Sequence, residues 1–199
     1  MNAQSTRDRI LRGAERALIA HGLDACSVQQ ILAEAGVSRR TFYQYFRSKD
    51  DIVHALYKER VEGLIDDMRR SVDERTDPIQ RVTAAIDTYL AYQVAGGPLK
   101  RAMQAKAMSQ DSPMAPDREK TLDAMVELMH SNVEAVLAVK LDPYVYRALL
   151  LGAEGLVLNT QARTGGFTEA DRARIRNVMV PSYFAVLAQH ANMPKLDEA

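Results

Sequence analysis

Three observations predict an all-α fold. Apolar residues recur at three- and four-residue spacing along most of the chain, and no stretch shows the two-residue alternation of a strand. Several of these stretches also open on a capping residue and close at a glycine or proline. About nine helices are expected. They divide into an N-terminal three-helix domain over 1–49 and a larger helical domain over 50–199, linked by a helix from about 48 to 72.

Ser5 or Thr6 can cap the first helix, which runs through Ile10, Leu11, Ala14, Ala17 and Leu18 to His21 and stops at Gly22. His21 reads as a helix-end residue beside the last carbonyls. The stretch 27–49 then reads SVQQILAEAGVSRRTFYQYFRSK. Ser27 caps a short helix whose apolar face is Val28, Ile31, Leu32 and Ala35. Gly36 ends it, because glycine accepts a left-handed backbone without strain. Val37 plugs the turn, and Ser38 caps a second short helix through Tyr45. This is helix-turn-helix spacing, in which the second helix is offered to the DNA major groove. Ordinary bundles use the same turn, so the composition of the second helix decides. Arg39, Arg40, Thr41, Tyr43 and Gln44 supply donors suited to phosphates and base edges. Phe42 and Phe46, four apart, hold the helix onto its core.

Ser48 caps the long linking helix, with Asp50 and Asp51 in its first turn, where acids meet the positive end of the helix dipole. Asp77-Pro78 is a cap followed by a first-turn proline and opens a helix closed by Gly96-Gly97-Pro98. Residues 99–108 form a shorter helix, and 109–116 the clearest loop. A long amphipathic helix follows. Asp142-Pro143 opens another, which runs to about residue 163 and ends at Gly165-Gly166. Thr168 with Asp171 has capping-box spacing and starts the last helix.

Formal net charge is zero, yet its distribution is uneven. Residues 1–49 hold eight basic and four acidic residues, leaving eighteen basic and twenty-two acidic in the remainder. A basic end on an acidic body fits nucleic-acid binding by one end. The single cysteine, Cys26, excludes an internal disulfide and a multi-cysteine zinc site. The start of the chain has no signal-peptide core and no stretch reaches membrane-spanning length, so a cytoplasmic protein without membrane contact is expected. There is no phosphate-cradling glycine loop, catalytic carboxylate pair or Ser-His-Asp arrangement, so an enzyme is not expected. Glu127 and His130 have Glu-x-x-His spacing, but no second copy exists to complete a di-metal site. Neither a metal nor a cofactor is expected.

The larger domain offers soft and aromatic side chains for a small apolar or aromatic molecule: Tyr89, Tyr92, Met103, Met108, Met125, Met129 and Tyr146. His130, Glu154 and Asn159 are candidate polar contacts. Without further information a methionine stripe reads more readily as core. The last two helices carry more apolar surface than one partner covers, including Leu149, Leu156, Val178, Val186 and Leu187. Gly152 and Gly155 each cost a helix interior about 1 kcal/mol relative to alanine, a cost explained by close approach of another backbone or a ligand.

From Ile10 to about Leu56 the chain resembles the tetracycline-repressor (TetR) family of bacterial transcription regulators. The residues that carry the resemblance include Ile10-Leu11, Ala14, Gly22, Ser27-Val28, Ile31, Ala35-Gly36-Val37-Ser38, Thr41-Phe42-Tyr43, Tyr45-Phe46, Lys49 and Asp50-Asp51. Cys26 and Ile19 depart from the family pattern, both away from the expected DNA face. The resemblance implies a homodimer bound to palindromic double-stranded operator DNA and released by a small-molecule effector. On that reading Arg40, Arg39 and Gln44 meet base edges. Thr41, Tyr43, Tyr45 and Lys49 meet phosphates, with Ser27, Gln29 and Ser38 beside them. Leu149, Gly152, Leu156, Val178, Val186 and Leu187 belong to a four-helix dimer seam. The alternatives are a DNA-binding regulator without a small-molecule effector, and a protein-interaction adaptor of the same fold.

Overall fold

A computed structural model describes residues 3–137 and 141–191. The described residues form nine α-helices and no strand: α1 (Ala3–His21), α2 (Val28–Ala35), α3 (Arg39–Tyr45), α4 (Lys49–Asp73), α5 (Pro78–Ala95), α6 (Gly97–Ala107), α7 (Ala115–Leu137), α8 (Pro143–Thr164) and α9 (Glu169–Ala191). The first helix starts before the expected caps at Ser5 and Thr6. Thr6 lies buried within it.

The chain forms two compact units, and their boundary differs from the expected division at 49/50. Residues up to 62 together with 96–118 make the first, and 63–95 with the residues from 119 onward make the second. Three short helices bury too little apolar surface to close a core. The first half of α4 contributes Ile52, Val53 and Leu56, and the α6 region contributes Leu99, Met103, Ala107 and Met114. These join Ile10, Leu18, Ile31 and Phe42, all four at most 1% exposed.

Local sequence explains the geometry of this first unit, the head. Ser27 and Gln30 form a reciprocal cap: the Gln30 N–H donates to Ser27 Oγ at 3.3 Å and the Ser27 N–H to Gln30 Oε1 at 2.8 Å. Gly36 at φ 60° ends α2, letting the Val37 N–H return to the Leu32 carbonyl at 3.3 Å. A Cβ on Gly13 of α1 would lie 2.5 Å from the Ala35 Cα, so only glycine permits the approach of α1 to α2. Lys100 is buried at the start of α6. Burial first, then the neighbouring Arg101 and Arg60 charges, push its ammonium down to about 7.

The second unit is centred on α5, α8 and α9, whose Leu90, Ala153, Val157, Met179 and Tyr183 share one core cluster. Arg176 of α9 clamps Asp87 of α5 through two hydrogen bonds, at 2.5 and 3.2 Å. The expected caps are present at Asp142, which accepts from the Tyr144 N–H at 2.8 Å, and in the Thr168–Asp171 box. Arg147 of α8 reaches Asp123 at 2.8 Å and also Glu119, both on α7. No helix among the described residues is long and apolar enough to cross a membrane.

Candidate nucleic-acid interface and ligand cavity

Helix α3 is short and held from below. Phe42 is fully buried, its ring edge-on to Tyr43 at 5.3 Å and 6.0 Å from that of Phe46. The Thr41 N–H donates to Ser38 Oγ at 3.0 Å, and the two hydroxyls lie 2.9 Å apart. With its inner face fixed, α3 leaves Arg39, Arg40, Tyr43 and Gln44 exposed. Among the described residues, Arg39, Arg40 and Arg47 make no ion pair. Several other bases of the head are spent on acids: Arg7 on Glu59, Arg16 on Glu34, Arg60 on Glu15 and Lys106 on Asp50. Uncompensated positive charge therefore gathers on α3 and just after it.

The remaining predicted DNA contacts divide by what else they do. Gln29 and Ser27 are exposed, although the Ser27 hydroxyl already caps α2. Ser38 and Thr41 spend their hydroxyls largely on each other. Tyr45 is half-buried against the head core. Lys49 departs furthest from a phosphate role: its ammonium donates to the Leu23 and Asp24 carbonyls at 3.0 and 2.8 Å. Cys26 beside this turn is buried, and that burial raises its thiol pKa, with Lys49 opposing; the thiol is inert packing.

The second unit holds an apolar cavity among α4, α5, α7, α8 and α9, with about 580 Å³ of empty space including its mouth. Of the predicted ligand residues, Tyr89 and Met129 line it. Met125 and Tyr92 pack in a neighbouring cluster with Leu64 and Met68. Tyr146 is fully buried in another, with the His130 ring edge-on at 5.8 Å. Glu154 lies outside the lining, though its charge reaches Tyr89, and Asn159 is exposed. Met103 and Met108 belong to the first unit, Met103 in its core and Met108 exposed. The lining residues absent from the sequence-based set are chiefly Met68, Arg81, Ile86, Asn132, Met179 and Tyr183. Met68, Ile86 and Met179 carried the signal of inward helical spacing. Arg81 carried none. Burial raises the hydroxyl pKa of Tyr89 and Tyr183, which keeps both neutral.

Residues 10–56 match the family described as bacterial regulatory proteins, tetR family. Over those residues the chain is of the TetR family. Its relatives include the HTH-type transcriptional activator FasR of Mycolicibacterium smegmatis, 29% identical over 86 residues, which are 43% of this chain and 39% of FasR. The chain thus spans about two-fifths of the length of the curated relatives it matches. Among solved structures, a putative transcriptional regulator from Pseudomonas aeruginosa superposes with a TM-score of 0.74 at 16% identity, covering 96% of both chains. The Bacillus subtilis regulator FadR in complex with stearoyl-CoA gives 0.66 at 17% identity, covering 92% of this chain and 97% of FadR. At these identities the likeness shows the fold.

The six residues predicted for a dimer seam face different ways. Gly152, Leu156 and Val178 are exposed, the last two at 46% and 57%. Leu187 is buried and lines the cavity, and Leu149 is half-buried, packed on the core shared by α5, α8 and α9. Val186 is half-buried. Within the chain, the α8–α9 seam is made by Ala153 and Val157 against Ile175, Met179 and Tyr183. Nothing lies within 4 Å of a Cβ built on Gly152 or Gly155.

Proposed function

We propose that the chain is a cytoplasmic, homodimeric DNA-binding transcription regulator that represses from a palindromic operator and is released by a small apolar or aromatic effector. The observation that carries this reading is the set of free polar side chains on α3, above a helix pinned by Phe42 and Phe46. Arg39, Arg40 and Gln44 read base edges, Tyr43 meets phosphate, and Gln29 adds a contact from α2. Lys49 supports this surface by fixing the turn before α2.

The exposed stripe of Leu151, Leu156 and Val178, with open glycines at 152 and 155, supports pairing of α8 and α9 with those of a second copy. A two-fold dimer requires half-sites about one helical turn apart or a multiple of it. Met68 and Val72 of α4 line the cavity, and α4 is one continuous helix from Lys49 to Asp73. An effector that moves them moves α4 as a rod. A coupling of roughly 1–3 kcal/mol lowers operator affinity about 5- to 150-fold.

Selection of random duplex DNA on the purified protein, followed by salt titration of the winner, tests the reading. A palindromic winner bound at least about a thousandfold tighter than random DNA is expected. Absence of enrichment by an intact dimer overturns it in favour of an adaptor.

A further inference from the structure

The cavity of the second unit is apolar except at a few points, and one of these carries a permanent charge. Arg81, near the start of α5, lines it. Its Nε is buried and makes no hydrogen bond. Its nearest acid is Asp73, with 3.8 Å between Arg81 Nη2 and a carboxylate whose side chain is 76% exposed. That loose contact leaves most of the guanidinium fork unused. Among the described residues no acid lines the cavity; Glu154 acts on Tyr89 from outside the lining. Asn132, on α7, spends its amide nitrogen on the Leu128 carbonyl at 2.6 Å, and the Tyr183 hydroxyl lies 4.0 Å from Met129 Sδ.

These groups discriminate among ligand charges. A cation entering here meets a fixed positive charge with no acid in the wall. A neutral apolar molecule leaves the buried Nε–H without an acceptor, which costs free energy. A carboxylate or similar oxyanion satisfies that donor and matches the planar fork in two parallel bonds. The rest of the wall, with Met68, Met129 and Met179, accepts an apolar body and yields to its shape.

We propose that this cavity takes an anionic amphiphile, an apolar chain ending in a single carboxylate-like group, and that Arg81 is the residue that selects the charge. The inference rests on the effector-responsive reading above and adds a charged head group to the apolar effector proposed there. Asp73 is the group Arg81 leaves when the head group arrives.

The test is calorimetric titration of the full-length protein with dodecanoate, dodecanol and dodecylammonium, each below its micelle concentration. Dodecanoate binds about ten- to a hundredfold tighter than dodecanol, the difference expected of a hydrogen bond to a charged group. Dodecylammonium binds most weakly. Arg81→Gln abolishes the preference of dodecanoate over dodecanol, and Arg81→Lys keeps part of it. Thermal melts confirm that both variants are folded. Equal binding of the three probes, a preference that survives Arg81→Gln, or no binding of any probe overturns the proposal. DNA selection without probes reports on the regulator reading separately. Operator binding without a charge preference removes this inference alone.

Discussion

The Lys49 ammonium, in the first turn of α4, donates to the carbonyls of Leu23 and Asp24, more than twenty residues earlier in the chain. The side chain closes the head by tying the turn after α1 to the start of α4. Removing it leaves two carbonyls short of a charged donor, at about 1–3 kcal/mol for a partly exposed site. Lys49→Met is expected to lower the melting temperature by several degrees. The slope of operator affinity against salt should stay as in the native protein. A slope reduced by about one ion would return Lys49 to the phosphate-binding set.

Arg40 behaves in the opposite way. It is exposed and unpaired, so Arg40→Ala leaves the melting temperature unchanged. In competition assays it is expected to cost about 1–3 kcal/mol on the selected operator and less on random DNA. Equal losses on both would make Arg40 a phosphate contact.

Two glycines in helices predict opposite signs. Gly13→Ala drives a methyl into the Ala35 backbone and should destabilise the protein by about 1–3 kcal/mol, despite the better helix propensity of alanine. Gly63 of α4 has nothing within 4 Å of its built Cβ, and Gly63→Ala should stabilise by up to about 1 kcal/mol. Chemical denaturation measures both.

Buried Lys100 makes stability depend on pH. Its folded pKa of about 7 lies below the unfolded value of 10.5, so between these limits the unfolded chain binds the extra proton. Stability from this group therefore rises with pH from about 7 to 10.5, and its penalty is complete below 7. Lys100→Met should stabilise by a few kcal/mol near pH 6 and by little near pH 10. Denaturant midpoints across that range check the slope.

A charge placed on the exposed apolar stripe should separate the proposed dimer. Leu156→Glu and Val178→Glu are expected to halve the sedimenting mass and retain the helical circular dichroism. A native protein that already sediments as a monomer would remove the two-fold operator model.

The local features were legible because their causes are local. Ser27, Asp142 and the Thr168–Asp171 pair cap the helices that their spacing announces, and Gly36 stops α2 where a left-handed residue is required. Partner choice was less legible, because periodicity shows which face of a helix is apolar without showing what covers it. Leu99 and Met103 fit a core at four-residue spacing, and that spacing is the same whether the core is the head's or the body's. For the same reason Leu187 reads as a seam residue but points inward, whereas Val178 points out. Gly13 shows no such requirement in the sequence, because the Ala35 backbone that demands it lies on another helix. Arg81 has no signature in the sequence, since a charge beside an apolar cavity leaves no trace in hydropathy.

The head is woven from two separate stretches of chain, which limits how it can be exchanged. A chimera that borrowed residues 10–56 from a relative would replace the recognition helix but inherit the host's Leu99, Met103, Ala107 and Met114 beneath it. Those four side chains must fit the borrowed Ile10, Leu18 and Ile52 positions, or the new specificity arrives on an unstable support. Exchange of α3 and its neighbours in this chain therefore requires matched changes some forty residues downstream of the transplanted segment.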